Sequence, residues 1–354
     1  MGLMPPTPAS DSSKRLISDP SESREPSKLA KLSEDRADVK GAGEEAPEEA
    51  LEPETPGMSQ NPRVQRYLVA VEYIGTGFFG SQKQPNCRTV TGSVEDSGVH
   101  ALSNVFHVDI ERTSKRKPNE VLPPHEPGVV RRAINHFLQR EGDITVTEVQ
   151  FVPANFHSRY MALERTYFYR LLSGPDPLPV FEKDRAWHVA EELDALAMKK
   201  ACDILAGHHD FSSFRAAGCQ ATSPFRTLDE LSVSEVAPFL CFPSISERRD
   251  MSFKSSSGSS SSSNVALRKC SNESIGIFGE RRRHRCFVIT SRSRSFLYHQ
   301  VRLLVGVLKS VGTGELTIED VKRILSAKNV AAASPMAPAC GLYLGNIKYS
   351  FSEL

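Results

Sequence analysis

No stretch of this 354-residue chain approaches the roughly 18 consecutive apolar residues that a membrane-spanning helix requires. Paired cysteines are lacking too. Cys87, Cys202, Cys219, Cys241, Cys270, Cys286 and Cys340 are scattered, odd in number, and include no C-x-x-C. That pattern reads as reduced intracellular thiols and excludes a disulfide framework or a zinc site. Residues 1–62 contain no aromatic residue and are rich in Pro, Ser, Glu and Lys. So little apolar surface cannot offset the entropy of ordering, and a disordered acidic tail is expected there. Position 6 is Pro where a myristoylation signal needs Ser or Thr, and the acid-rich start does not read as a targeting peptide. Cytoplasm or nucleus is the compartment these absences leave.

What is present is a basic body. Residues 1–60 carry 7 Lys and Arg against 13 Asp and Glu, whereas the remaining chain carries 37 against 30. Of all residues, 39% are hydrophobic, enough for real cores over about two domains. The charge leans towards an anionic partner.

The chain turns on Asp96-Ser97-Gly98-Val99-His100-Ala101. A carboxylate is followed by a small residue and a glycine, then by Asn104-Val105-Phe106-His107-Val108-Asp109-Ile110, whose apolar residues alternate as in a half-buried strand. Gly98 lets another backbone or a ligand come close. Before it, Arg66 to Tyr73 reads as a central strand, and Gly77-Phe78-Phe79-Gly80-Ser81-Gln82-Lys83-Gln84 as a glycine-rich loop without phosphate-loop spacing.

Further on, residues 128–140 place Val129, Val130, Ala133, Ile134, Phe137 and Leu138 on one helical face, opposite Arg131, Arg132 and Arg140. Residues 144–152 return to strand. The segment 162–172 sets Leu163, Arg165, Tyr167, Tyr169 and Leu171 on one strand face. Residues 191–206 form an amphipathic helix through Leu193, Leu196, Ala197, Ala201, Ile204 and Leu205, closed by Gly207. His208 and His209 are adjacent, point in different directions and lack a third ligand, so no metal is expected. Residues 231–234 and 286–291 are strands around a Ser-rich insertion at about 238–285. Residues 295–308 are apolar nearly all round and form a buried helix with Arg302 at its middle. A buried arginine needs an anion, either Asp96 or an incoming phosphate. Gly306, one turn on, clears space on the same face. Thr317-x-x-Asp320 caps a last helix, and 342–351 is a closing strand.

Taken together, the 77–84 loop, the Asp96 run, Phe156-His157-Ser158-Arg159, Arg165-Thr166-Tyr167-Phe168-Tyr169, Phe214-Arg215, Phe296-Leu297-Tyr298-His299-Gln300-Val301-Arg302 and Ala337-Pro338-Ala339-Cys340-Gly341-Leu342-Tyr343-Leu344 resemble the TruA-type tRNA pseudouridine synthase family. The motifs stand in the family's order and span the folded part of the chain. The resemblance implies an α+β fold, with a mixed, largely antiparallel sheet flanked by helices and two related halves, 63–178 and 179–354, around a basic cleft. It implies tRNA as partner, uridine isomerised to pseudouridine, and neither metal nor organic cofactor. Monomeric and homodimeric members are both compatible. Asp96 matches the nucleophile, acting at ribose C1′ or uracil C6 or through a glycal intermediate. Tyr167 matches the tyrosine that stacks on the target base, and Arg302 the arginine that pairs with the carboxylate. Lys83, Arg159, Arg165 and Arg215 would line the RNA cleft, Gly98 and His100 belong to the catalytic run, and Leu342 matches a residue that packs on the target uracil.

One departure stands out. The family's run reads Arg-Thr-Asp-x-Gly-Val-His-Ala after a helix and a strand, whereas here Val94 and Glu95 precede Asp96 and only a short segment separates it from the glycine-rich loop. A missing central strand is expected to expose core. A catalytically impaired RNA-binding protein, or a splice variant, on the same scaffold is therefore the alternative reading.

Overall fold

The structure, a computed structural model, describes residues 63–78, 80, 89, 96–117, 120–237 and 284–351. The acidic 1–62 segment, Lys83, Glu95 and nearly all of the Ser-rich insertion lie outside the described residues.

One sheet organises the described chain. Its strands are β1 (Val64–Tyr73), β2 (His100–Glu111), β3 (Ile144–Phe151), β4 (Glu164–Ser173), β5 (Trp187–Val189), β8 (Glu230–Val236), β9 (Arg285–Ser293) and β10 (Leu342–Lys348). They run in the order β3-β1-β2-β10-β4-β9-β8, with β5 added beside β4. A separate hairpin pairs β6 (Gly207–Asp210) with β7 (Phe225–Leu228). All pairings are antiparallel except β10 with β2 and β5 with β4, so the expected α+β class with a mixed, largely antiparallel sheet is found. Four helices flank it: α1 (Pro127–Leu138), α2 (Ala195–Leu205), α3 (Gln300–Gly312) and α4 (Ile318–Ala327). None among the described residues is long and apolar enough to cross a membrane.

The sheet crosses the boundary read at 178. β4 lies before it in sequence, yet pairs with β9 from Arg165 to Ser173. The last strand is inserted at the centre. β10 pairs with β4 on one side, and on the other meets β2 only at Tyr343 with His100 and Leu344 with Ala101. This is the thinnest seam in the sheet. Beside it a groove of about 920 Å³, lined by Tyr73, Ile74, Asn135, Phe168 and Val288 among others, lies against the sheet.

Alternation along β4 buries Tyr167, Tyr169 and Leu171 on one face, facing Ser291, Ile289 and Phe287 of β9. Leu163 falls before the strand and is exposed. α3 is buried on nearly every side, as its composition requires. Gly306 allows this, because a Cβ there would sit 2.2 Å from the Pro335 carbonyl oxygen.

Three expected elements need correction. On α1 only Val130 is fully buried, and Phe137 is 79% exposed. The helix rests on the sheet through Val130, Ile134 and Leu138, so Val129, Ala133 and Phe137 rotate outward. On α2, Asp194 caps the first turn by accepting from the Leu196 and Ala197 amides; Met198, Ala201, Cys202 and Leu205 then face inward and Leu196 outward. The helix expected from 295 begins at Gln300, because His299 has a left-handed backbone.

Candidate active site

The turn carrying Asp96 is tied to the loop that follows β1. The Val99 amide donates to the Asp96 carbonyl, and the Gly98 amide and Ser97 hydroxyl both donate to the Phe78 carbonyl. Gly98 has φ of 81° and lies against Ala339, 3.3 Å from the place a Cβ would occupy. Left-handed backbone and close packing both select glycine there. Gly75 is tighter still, since a Cβ would meet the Val99 carbonyl at 1.8 Å.

Into this turn points the start of α3. Arg302 Nη1 is 3.6 Å from Asp96 Oδ2, and His299 Nε2 is 3.0 Å from the same oxygen. The side chains of Asp96, Arg302 and His299 are 22%, 12% and 15% exposed, so the cluster is largely desolvated but open on one side. Of the two partners expected for Arg302, the structure shows the carboxylate. Burial, joined by the Arg302 charge, holds the His299 imidazole below its ordinary pKa, against the pull of Asp96. His299 has φ 59° and ψ 11°, a conformation that costs a residue with a Cβ about 1–2 kcal/mol. Its sequence context assigns it no role, although it stands three positions before Arg302, at the mouth of the same helix.

The 337–341 loop joins the remaining parts. Arg302 Nε donates to the Ala337 carbonyl at 2.8 Å, and the Ala337 amide donates back to the Arg302 carbonyl. Tyr169 donates its hydroxyl to Pro338, and burial pushes its phenol pKa upward. His100 closes the ring of contacts. Its Nδ1 accepts from the Gly75 amide, which leaves Nε2 to donate to the Asp184 and Cys340 carbonyls. The ring is 1% exposed and stacks on Tyr343, so neither nitrogen is left for a substrate. Burial lowers its pKa and keeps it neutral.

Tyr167 lies on β4 with its ring edge-on to Phe296, 5.2 Å between centroids. Leu342, buried, stands opposite Tyr169 at the start of β10. Arg159 is exposed. Arg165 donates to the Arg294 and Arg159 carbonyls, and Arg215 to those of Cys219 and Ala221, so both guanidiniums are locally anchored. His208 meets the Thr227 hydroxyl and His209 the Ala206 carbonyl. Among the described residues no group of three His, Cys, Asp or Glu side chains could hold a metal ion.

A carboxylate on a glycine turn, faced by an arginine from a buried helix beside one mixed sheet, is the arrangement that the resemblance to pseudouridine synthases implies. A family model for tRNA pseudouridine synthase matches residues 201–350. The tRNA pseudouridine synthase A of Rhodospirillum centenum is 35% identical over 305 residues, covering 81% of this chain and 100% of the relative. That of Parvibaculum lavamentivorans is 33% identical, covering 80% and 99%, and that of Rhodospirillum rubrum 34%, covering 80% and 87%. The chain belongs to the tRNA pseudouridine synthase A family.

Proposed function

We propose that this chain isomerises uridine to pseudouridine in tRNA, with Asp96 as the reacting carboxylate, Arg302 as its partner and Tyr167 against the target base. The observation that carries the reading is the Asp96 carboxylate held 3.6 Å from a largely buried Arg302 on a turn that only glycines permit. In the reaction the ribose C1′–N1 bond breaks and a C1′–C5 bond forms. C5 loses its proton and N1 gains one, so nothing is oxidised and no other reactant is consumed. Asp96 assists the detachment, by attack at C1′ or C6 or through a glycal. The target base must first leave its stack, at about a few kcal/mol. Arg159, Arg165 and Arg215, together with Lys83, would bind the tRNA backbone and offset that cost. Gly98 and Leu342 would shape the base pocket, and His100 would hold it from behind. Nothing in the reading requires a second copy of the chain, though a homodimer fits it equally.

The test is tritium release from unmodified tRNA labelled at uridine C5, comparing the full chain with Asp96→Ala. Release that disappears in the variant supports the reading. A chain that binds tRNA but releases nothing is instead an RNA-binding protein on a synthase scaffold, the outcome that Glu95 in place of the family's Thr would explain.

A further inference from the structure

We infer that His299 is a second positioning residue for the Asp96 carboxylate, fixing which oxygen meets the substrate; the inference rests on the isomerase reading above. His299 Nε2 and Arg302 Nη1 both address Oδ2, and the imidazole is the nearer partner, at 3.0 Å against 3.6 Å. Two groups on one oxygen leave Oδ1 as the oxygen offered to the uridine. Arg302 alone would not fix this, because its Nε is committed to the Ala337 carbonyl and its charge acts with little directionality at 3.6 Å.

The backbone supports the same role. Position 299 is left-handed, where glycine or asparagine is the ordinary occupant. The turn is held there by bonds on either side: the Leu303 amide donates to the His299 carbonyl, the Gln300 side chain accepts from the Leu297 amide, and the Ala216 amide donates to the Tyr298 carbonyl. The imidazole is also stacked on Tyr298, ring centroids 3.7 Å apart at 26°. A side chain in an unfavourable backbone state, clamped on both flanks and aimed at the reacting carboxylate, is explained by what its ring does. The charged groups facing the ring are Asp96 and Arg302; burial and the Arg302 charge outweigh the pull of Asp96 and keep it neutral, able to donate through Nε2 while leaving the carboxylate its charge.

The experiment compares the full chain with His299→Gly and His299→Gln. Glycine suits the left-handed backbone, so His299→Gly is expected to unfold at the parent's temperature or above and to bind tRNA within about twofold of it. Its kcat for tritium release is expected to fall about 100-fold, as misplacement of a reacting group does. Glutamine, which keeps an amide N–H, is expected to recover part of the loss. A His299→Gly chain with the parent's kcat overturns the inference. Should the parent release no tritium, the isomerase reading fails by itself, and imidazole nitrogen NMR still decides the point. An Nε2-protonated ring whose resonances move in Asp96→Ala is expected, and a ring indifferent to Asp96→Ala overturns the inference.

Discussion

Arg302 serves two neighbours through different nitrogens, and the two can be separated by substitution. Nε fastens the 337–341 loop while Nη1 faces Asp96. Arg302→Leu preserves the apolar packing of the stem but removes both contacts. Turnover is expected to fall at least about 100-fold, as when a preorganised charge partner is removed. Stability should fall only by about 1 kcal/mol for the lost hydrogen bond. Single-turnover tritium release beside a denaturant titration checks both. His100 predicts a pH effect with a definite sign. Its folded pKa lies below the ordinary value, so the unfolded chain takes up a proton that the native ring refuses. Its contribution is therefore complete above about pH 6.5, the unfolded value, and is lost as pH falls below it. Melting temperature measured from pH 7.5 to 5 should decline over that range, with a shallower slope in His100→Gln.

At the scale of elements, α4 is the plainest case of sequence dictating structure. Thr317 accepts from the Asp320 amide, and the Asp320 carboxylate accepts in return from the Thr317 amide, as the T-x-x-D spacing requires. Thr317→Ala should lower the unfolding free energy by about 1 kcal/mol, read from the urea midpoint, without moving turnover. The same local logic made β1, β2, β3, β4, β9 and α3 legible, because each carries a strong period or an unbroken apolar run. It did not reach β5 or β7, whose three and four residues are too short for a period and owe their conformation to partners distant in sequence. Nor did it reach the orientation of α1. An apolar stripe shows that a helix has a face, but which part of that face is covered depends on what lies alongside, and Phe137 has little there. At the site, Asp96 and Arg302 were legible as a charge needing a partner. His299 was not, because its contribution depends on a left-handed backbone angle that no residue type announces.

For the molecule as a whole, charge is the property that reaches furthest. Beyond residue 60 the chain carries 37 basic against 30 acidic residues, and Arg159, Arg165 and Arg215 are among the former. Binding to tRNA should weaken by about tenfold or more between 50 and 200 mM salt, the signature of phosphate contacts that release counterions. Filter binding across a salt series measures the slope, and a flat line would contradict a polyanionic partner. The placement of β10 bears on how such a chain comes into being. β10, the last described strand in chain order, lies between β2 and β4, where both sides of the sheet depend on it. During synthesis β2 and β4 must wait with open edges until β10 has been made and has cleared the ribosome tunnel. Closure of the sheet thus waits for β10, and a nascent chain stalled before that strand emerges would be held as two unjoined portions, exposed to chaperones and to aggregation.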